Sequence, residues 1–232
     1  MRLPLALVIM AKFPTPGRVK TRLQPRLSAE ESAEVQRVFL LHMVDRLCGL
    51  GAGDMIVCFD PPDAAEAFGE LIGDRVGLLV QSPGDLGDRL TGAAVGLRDE
   101  YERVLFFGVD SPDVPAGHLS GLIDLTLAHA ASIAPTEDGG FWALGLKTDV
   151  DLAPIVGGIE WSSGREYAQT TDRLKTHVVD VGIGKHWTDV DRVEDLIALN
   201  ERLIGSHATD DRLLFAQIKD LCPVLARDGT AT

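Results

Sequence analysis

The sequence predicts an α/β fold with a mostly parallel, mixed sheet, and three observations support this class. A continuous apolar run at residues 5–10 is typical of a strand that is covered on both faces. Strand-like and helix-like segments then alternate, which implies right-handed crossovers between parallel strands. The length of 232 residues suits one domain. We therefore expect a single three-layer domain that binds its ligand beyond the carboxyl ends of the strands.

The predicted strands are apolar runs bounded by turn residues. They lie at 5–10, 55–59, 78–81, 104–108, 132–134, 141–146 and 177–181. The predicted helices occupy intervening segments, at 28–47, 88–99, 119–129, 164–174, 193–203 and 210–225. The first helix opens with the capping box Ser28-Ala-Glu-Glu31. We expect residues 1–205 to form the domain, with 206–232 as a helix and tail packed on it or trailing from it.

Charge is distributed unevenly along the chain. The formal net charge of −13 argues against a nucleic-acid-binding surface. Residues 1–29 nevertheless contain six of the 22 lysines and arginines and none of the 35 acidic residues. A concentrated positive patch on an acidic protein indicates that an anion binds there.

Cysteine content and hydropathy indicate a cytoplasmic protein without a membrane span. The three cysteines, Cys48, Cys58 and Cys222, are too few and too scattered for a disulfide framework or a zinc site. The apolar start resembles a secretory signal, but it passes directly into Lys12 and Pro14 without a cleavage site, so a buried strand explains it better. No stretch has the 18 or more apolar residues of a membrane helix.

The basic loop AKFPTPGRVKTRL (residues 11–23) directly follows the first strand. Pro14, Pro16 and Gly17 stiffen and turn it. Arginine offers phosphate oxygens a planar fork and lysine offers a movable charge. We expect the loop to bind a nucleotide phosphate chain through Lys12, Gly17, Arg18, Lys20 and Arg22. It lacks the Walker spacing of glycines, and a merely solvated basic loop is the alternative interpretation.

Two aspartates are candidate metal ligands. Asp110 ends the apolar run VLFFG at 104–108, where ligands gather in a parallel sheet. Asp189 and Asp191 lie two apart, so both would point to one face of an extended segment. We expect Asp110 and Asp191 to hold Mg²⁺ or Mn²⁺, and Asp189 to cap the helix that follows. A turn aspartate is the alternative for Asp110, whereas Asp113 fits the cap of the next helix.

Three further segments are candidates for substrate contact. The glycine-rich segment after the third strand is expected to bind the nucleotide through Gln81, Asp85, Leu86, Gly87 and Arg89. The acceptor is expected to lie against Asp138, Gly139, Gly140, Phe141, Trp161 and Ser162. An ordinary helix start, a plain tight turn and simple packing are the respective alternatives.

Taken in order, the motifs AKFPTPGRVKTRL, GDLGDRL, GVDSPDVP, DGGFWALGL, WSS and DVDRVEDL resemble a family of uncharacterised bacterial transferases with the GT-A (nucleotide-diphospho-sugar transferase) fold. The resemblance covers residues 5–199. More distantly, the chain is similar to the guanylyltransferases that act on molybdenum cofactor or phospholactate. The resemblance implies that the basic loop binds nucleotide phosphates and that Asp110 and Asp191 hold the metal. The chain departs from sugar nucleotidyltransferases in lacking the LxxGxGxR loop, and has WSS where WST is expected.

The sequence thus predicts a metal-dependent transferase with a nucleotide donor and a small-molecule acceptor. Lys20, Asp110 and Asp138 are the predicted catalytic residues. Four cations near the phosphates favour nucleotidyl transfer from a nucleoside triphosphate to a phosphorylated or hydroxyl acceptor, with release of pyrophosphate. Glycosyl transfer from a nucleotide-diphospho-sugar is the alternative, and a non-catalytic nucleotide sensor is the alternative from another class. The sequence leaves open whether the protein forms a homodimer.

Overall fold

The computed structural model describes residues 1–24, 26–178 and 180–221. Its sheet strands are β1 (Ala6–Lys12), β2 (Asp54–Asp60), β3 (Gly77–Val80), β4 (Arg103–Phe107), β5 (Ala131–Pro135), β6 (Phe141–Lys147) and β7 (Val181–Ile183). The helices are α1 (Ala29–Leu50), α2 (Ala65–Ile72), α3 (Leu86–Leu97), α4 (Ala116–Ala128), α5 (Ala153–Val156), α6 (Glu166–His177), α7 (Val193–Ile204) and α8 (Thr209–Leu221). Short 3₁₀ turns lie at Thr21–Leu23 and Pro62–Ala64.

The seven strands form one sheet in the order β3-β2-β1-β4-β6-β5-β7. Strand β6 runs antiparallel to both of its neighbours, and the other pairings are parallel. The carboxyl ends of β1 and β4 lie side by side, with Ile9 opposite Phe107. The loops that follow these two strands therefore meet at one edge of the sheet.

Helices cover both faces of the sheet, as the apolar run of β1 predicts. Leu7 and Ile9 pack into a cluster with Met43 of α1, while Val8 packs on the opposite face with Leu90 of α3. All of these side chains are buried. Burying one large aliphatic side chain contributes about 1.5–3 kcal/mol, so this two-sided packing holds β1 rigidly under the loop that follows it.

The predicted α/β class with a mostly parallel mixed sheet is confirmed, with differences in individual elements. Helix α2 was not predicted because its two turns contain Gly69 and follow two consecutive prolines. Helix α5 is a single turn. Helix α6 continues to His177, so β7 begins at Val181 rather than at 177.

A third cluster joins the C-terminal helices to the domain. Leu214 and Ile218 of α8 are fully buried against Phe39 of α1 and Leu199 of α7. The described part of residues 206–232 is therefore packed on the domain. Residues 222–225 of the predicted last helix, Cys222 and the tail lie outside the described residues. Each helix in the described ranges is too short or too polar to cross a bilayer.

His42 of α1 gives the fold a predicted dependence on pH. Burial, followed by the nearby charge of Arg46, lowers the pKa of His42 from 6.5 to about 4. When a histidine has a lower pKa in the folded state than in the unfolded state, the unfolded chain binds the proton first as the pH falls. The fold therefore loses stability between the pKa of the unfolded state and that of the folded state. We expect the unfolding free energy to fall by about 2 kcal/mol through His42 between pH 7 and pH 5.

Urea unfolding of the wild type and of His42→Leu at both pH values measures this effect. The variant should lack the part of the pH dependence that belongs to His42. Equal pH dependence in both proteins would contradict the prediction.

Candidate active site

Lys20 lies at the centre of the site. Its backbone is left-handed (φ 46°), and the 3₁₀ turn that follows is anchored by the buried side chain of Leu23. The Lys20 side chain is only 4% exposed. Its ammonium donates to Asp110 Oδ1 at 2.5 Å and to the Val190 carbonyl at 2.5 Å, and lies 3.6 Å from Asp191 Oδ1. One ammonium therefore faces both predicted metal ligands.

Backbone pairing brings the two aspartates together across 80 residues of sequence. The amide of Val190 donates to the Asp110 carbonyl at 2.8 Å, which fixes the segment at 189–191 beside the end of β4. Arg22 adds a hydrogen bond of 3.1 Å to Asp191 Oδ2. Lys20, Arg22, Asp110 and Asp191 are thus gathered at the sheet edge where the sequence places them.

Two neighbouring cavities share Arg22, Asp110 and Asp191 as a common wall. The first has a volume of about 350 Å³ and is lined by Met10, Lys12, Arg18, Val19, Lys20, Thr21, Arg22, Gln36, Val109, Asp110 and Asp191. The second has a volume of about 620 Å³, and its lining includes Asp138, Phe141, Trp142, Trp161, Glu166, Asp189, Arg192 and Asp195. A donor and an acceptor placed in the two cavities would meet at the aspartates.

The first cavity offers exposed positive charge. Lys12 and Arg18 line it, and neither has an ion-pair partner within 4.0 Å among the described residues. Gly17 has a φ of +76°, which turns the loop between them. These two cations are available to an anion, whereas Lys20 and Arg22 are already engaged by carboxylates.

Asp189 lies in the wall of the second cavity and not at the start of α7, where a helix cap was predicted. It lines the second cavity and does not cap α7, because Asp195 Oδ2 accepts from the amides of Asp191 and Arg192 at 3.0 and 2.7 Å. Burial, followed by the charges of Asp138 and Asp191, raises the pKa of Asp189 to about 6. The pKa of Asp191 is also raised, by burial and then by Asp110, while Lys20 opposes the shift.

Asp113 is a structural anchor and not a helix cap. Its buried carboxylate accepts from Trp187 Nε1 at 3.2 Å and from Arg202 Nε at 2.6 Å. Helix α4 begins after Pro115 without a side-chain cap. The prediction of a cap is therefore wrong, and Asp113 instead ties α7 to the loop that carries Asp110.

Most residues of the glycine-rich segment have structural contacts outside both cavities. Gln81 donates to the Cys58 carbonyl at 2.8 Å, and Arg89 donates to Gln81 Oε1 at 2.9 Å. Asp85 caps α3, and a Cβ on Gly87 would lie 2.5 Å from the Val156 carbonyl oxygen. Leu86 lines the second cavity. Nucleotide contact by this group stays a prediction.

The predicted acceptor residues line the second cavity, with the exception of Gly139. Asp138 Oδ1 accepts from Thr136 Oγ1 at 2.6 Å and from the Gly140 amide at 3.0 Å. The rings of Phe141 and Trp161 meet edge to face, with centroids 6.2 Å apart. Ser162, next to Trp161, has a φ of 61°. Lys20 and Ser162 are the only non-glycine residues with positive φ in the described ranges, and both line a cavity.

Gly139 has no room for a side chain. Its φ is +90°, and a Cβ would lie 2.0 Å from the Gly164 carbonyl oxygen. Gly139→Ala should therefore lower the unfolding free energy by at least about 1–3 kcal/mol. Gly121→Ala in α4 is the matched control, because nothing lies within 4 Å of its Cβ. Urea unfolding of both variants measures the difference, and equal stability would contradict this account.

Sequence reasoning missed Asp189, Glu166 and Arg192 as cavity residues. Glu166 is buried and accepts from the Ser163 amide at 2.7 Å. The spacing Ser163-x-x-Glu166 is that of a capping box, which is typical of a helix start and not of a site. For Asp189, the signal was present in the pair of aspartates, but the alternative of a helix cap was preferred.

A metal would need oxygen atoms from a substrate as well as from the protein. In the described part of the chain, no group of three or more His, Cys, Asp or Glu residues could hold a metal ion. Asp110 and Asp191 nevertheless fit Mg²⁺, which is commonly held by one or two carboxylates together with substrate phosphates. Both carboxylates face one position for a cation, and in this structure the Lys20 ammonium lies there.

The fold and this sheet-edge site place the chain among α/β transferases with the nucleotide-diphospho-sugar transferase fold. A protein from Desulfovibrio desulfuricans G20, described as a "putative nucleotide-diphospho-sugar transferase", has 27% identity and a TM-score of 0.85, over 96% of this chain and 97% of that one. The chain belongs to the family described as "uncharacterized protein conserved in bacteria" (DUF2064), which it matches over residues 43–163. The predicted resemblance to a bacterial family of this fold is thereby confirmed.

Two more distant structures show the fold alone. The 4-diphosphocytidyl-2C-methyl-D-erythritol synthase of Anaerococcus prevotii DSM 20548 has 11% identity and a TM-score of 0.59, over 87% of this chain and 98% of that one. A cytidylyltransferase from Leptospira borgpetersenii has 12% identity and a TM-score of 0.56, over all of both chains. No curated protein matches the sequence.

Proposed function

We propose that this protein transfers a nucleotidyl group from a nucleoside triphosphate to a small acceptor in the cytoplasm, with Mg²⁺ or Mn²⁺. One observation carries the proposal: two cavities of opposite charge meet at a wall formed by Arg22, Asp110 and Asp191. Such a wall would place the reacting atoms of a donor and an acceptor side by side. A protein described as a cytidylyltransferase has the same fold, so the fold is compatible with this reaction.

The first cavity would hold the triphosphate. Lys12 and Arg18 are exposed and free of carboxylate partners in the described ranges, so they can contact the phosphate oxygens. A triphosphate carries about three to four negative charges, which matches several cations better than the two charges of a nucleotide-sugar diphosphate do. The buried ammonium of Lys20 would then face the phosphate next to the acceptor.

Asp110 and Asp191 would hold the metal, which neutralises charge on the donor phosphates. Backbone pairing at Val190 keeps the two carboxylates in place before the donor arrives. The contribution of the chain to the reaction is thus positioning and electrostatics.

The second cavity would hold the acceptor against Asp138, Phe141 and Trp161. An acceptor oxygen attacks the α-phosphorus, the bond from that phosphorus to the pyrophosphate oxygen breaks, and pyrophosphate leaves. The acceptor proton passes to solvent. Asp138 Oδ1 holds the turn through Thr136 and Gly140, which places the aromatic wall relative to the shared aspartates.

Glycosyl transfer from a nucleotide-diphospho-sugar is the second candidate. The similar Desulfovibrio protein favours it, because that protein is described as a nucleotide-diphospho-sugar transferase. The products separate the two reactions, because nucleotidyl transfer releases pyrophosphate and glycosyl transfer releases a nucleoside diphosphate.

A thermal-shift screen of nucleoside triphosphates and nucleotide sugars, with and without Mg²⁺ or Mn²⁺, identifies the donor. A ligand at about 100 times its dissociation constant should stabilise the fold by about 2.7 kcal/mol. The best donor is then incubated with candidate acceptors, and pyrophosphate and nucleoside diphosphate are measured. Release of nucleoside diphosphate alone, from a sugar donor, would contradict nucleotidyl transfer. Binding without any product would favour the nucleotide sensor.

A further inference from the structure

The second cavity carries negative charge away from the shared wall. At that wall, Lys20 and Arg22 already oppose Asp110 and Asp191. The rest of the lining contains four carboxylates and one arginine, namely Asp138, Glu166, Asp189, Asp195 and Arg192. A ligand in this part of the cavity therefore meets a negative surface.

Asp189 is the most available of these carboxylates. Glu166 accepts from the Ser163 amide, Asp195 accepts from two amides at the start of α7, and Asp138 holds its own turn. No other described residue donates a hydrogen bond to the Asp189 carboxylate within 3.5 Å. This carboxylate can accept from a ligand hydroxyl or ammonium group.

The aromatic wall of the second cavity supplies an apolar surface. Trp161 Nε1 is buried and has no hydrogen-bond partner among the described residues. Buried indole N–H groups usually have a partner, but this nitrogen has no exposed surface, so a ligand in the cavity meets the ring of Trp161 rather than its N–H group. Phe141, edge to face with Trp161, extends the apolar surface.

We infer that the acceptor is a hydroxylated compound without a phosphate group, either neutral or cationic. This inference rests on the proposed function and narrows the acceptor that it requires. The aromatic wall suits the carbon skeleton, while the Asp189 carboxylate suits its hydroxyl or ammonium groups. A phosphate ester would add about 1.5–2 negative charges beside unneutralised carboxylates, and like charges at an interface disfavour binding.

Matched acceptor pairs test the inference. Pyrophosphate release is measured with the stabilising triphosphate, Mg²⁺ and one member of each pair: glycerol or glycerol 3-phosphate, glucose or glucose 6-phosphate, ethanolamine or phosphoethanolamine. In each pair that reacts, the unphosphorylated member should have a kcat/KM at least about tenfold higher. Asp189→Lys should reduce or invert this ratio. Asp99→Lys, at a side chain that is 98% exposed, should leave it unchanged. Preference for the phosphorylated members would overturn the inference.

A second measurement does not depend on turnover. The fluorescence of Trp161 is obtained as the difference between the wild type and Trp161→Phe, and is quenched with caesium or iodide ions. Each quenching constant is divided by that of free N-acetyltryptophanamide with the same ion, because the two ions differ in intrinsic efficiency. On this scale, caesium should quench at least about threefold more effectively than iodide, because a negative cavity concentrates cations. Asp189→Lys should remove the difference, and stronger quenching by iodide in the wild type would overturn the inference. Absence of a thermal shift with every triphosphate would instead contradict the proposed function, so the two failures are distinct.

Discussion

Asp110→Asn is expected to lower turnover by about 10²–10³-fold while leaving nucleotide binding in place. The amide keeps the size of the side chain but removes the charge that faces the shared wall of the two cavities. In the proposed reaction, that charge holds the metal against the donor phosphates. The expected loss corresponds to about 3–4 kcal/mol of transition-state stabilisation.

Pyrophosphate release measures turnover, and a thermal shift with the triphosphate alone measures binding without the metal. Asp99→Asn is the matched control. The Asp99 side chain is 98% exposed, and the residue lies before the amino end of β4, whereas Asp110 follows its carboxyl end. Turnover of Asp110→Asn equal to that of the control would remove Asp110 from the mechanism. Loss of both binding and the folded circular-dichroism spectrum would indicate a structural role instead.

The fold was predictable because each of its levels leaves a pattern in the sequence. The apolar run of β1 predicts burial on both faces, and the structure shows Leu7 and Val8 packed on opposite sides. The capping box of Ser28 and Glu31 is present at the start of α1. Element ends were less predictable, since α6 continues three residues beyond its expected end and displaces β7.

The meeting of Lys20 and Asp110 was predictable from topology, whereas Asp191 follows β7 at the far edge of the sheet and was predicted from the pair of aspartates and the family resemblance. Loops that follow adjacent parallel strands meet at the same edge of a sheet, and an isolated basic loop needs an acidic or anionic partner. The sequence does not show that the ammonium of Lys20 itself lies between the carboxylates. That position depends on the left-handed backbone conformation of Lys20. A lysine rarely adopts this conformation, so the sequence does not predict it.

Other assignments depended on tertiary contacts that leave no local pattern. Gly87 suits a phosphate-binding loop, yet the structure places it where α3 packs against the Val156 carbonyl. Asp113 suits a helix cap, yet its partners Trp187 and Arg202 come from much later in the chain. Glycine and aspartate occur both in local turns and caps and in long-range packing contacts. Only the local motifs leave a pattern in the sequence, so the sequence alone favours the local interpretation.

Lys20→Met is expected to lower the unfolding free energy at pH 7 by about 1.5–3 kcal/mol, because the ammonium is buried while its carboxylate partners are partly exposed. The side chain is 4% exposed, and its ammonium has one hydrogen bond to Asp110 and one to the Val190 carbonyl. Removing it leaves Asp110 and Asp191 facing each other without the buried positive charge between them. Methionine keeps much of the side-chain volume, so the loss would come mainly from charge.

Urea unfolding measures the effect, with Lys12→Met as the control. Lys12 lies in the same loop, is exposed and has no ion-pair partner within 4.0 Å among the described residues. Its substitution should change the unfolding free energy by less than about 0.5 kcal/mol. Equal stability of the two variants would show that Lys20 does not neutralise the aspartates in solution.

Added Mg²⁺ then separates a structural ion pair from a metal site. If Asp110 and Asp191 can hold a divalent cation, the Lys20→Met protein should be stabilised by millimolar Mg²⁺ more than the wild type, because the competing ammonium is gone. Asp110→Asn combined with Lys20→Met should lose that additional stabilisation, since one of the two ligands is neutral. A Lys20→Met protein that is not stabilised by Mg²⁺ either alone or together with the triphosphate would leave the pair as an anchor for Lys20 and remove the metal from the proposed mechanism.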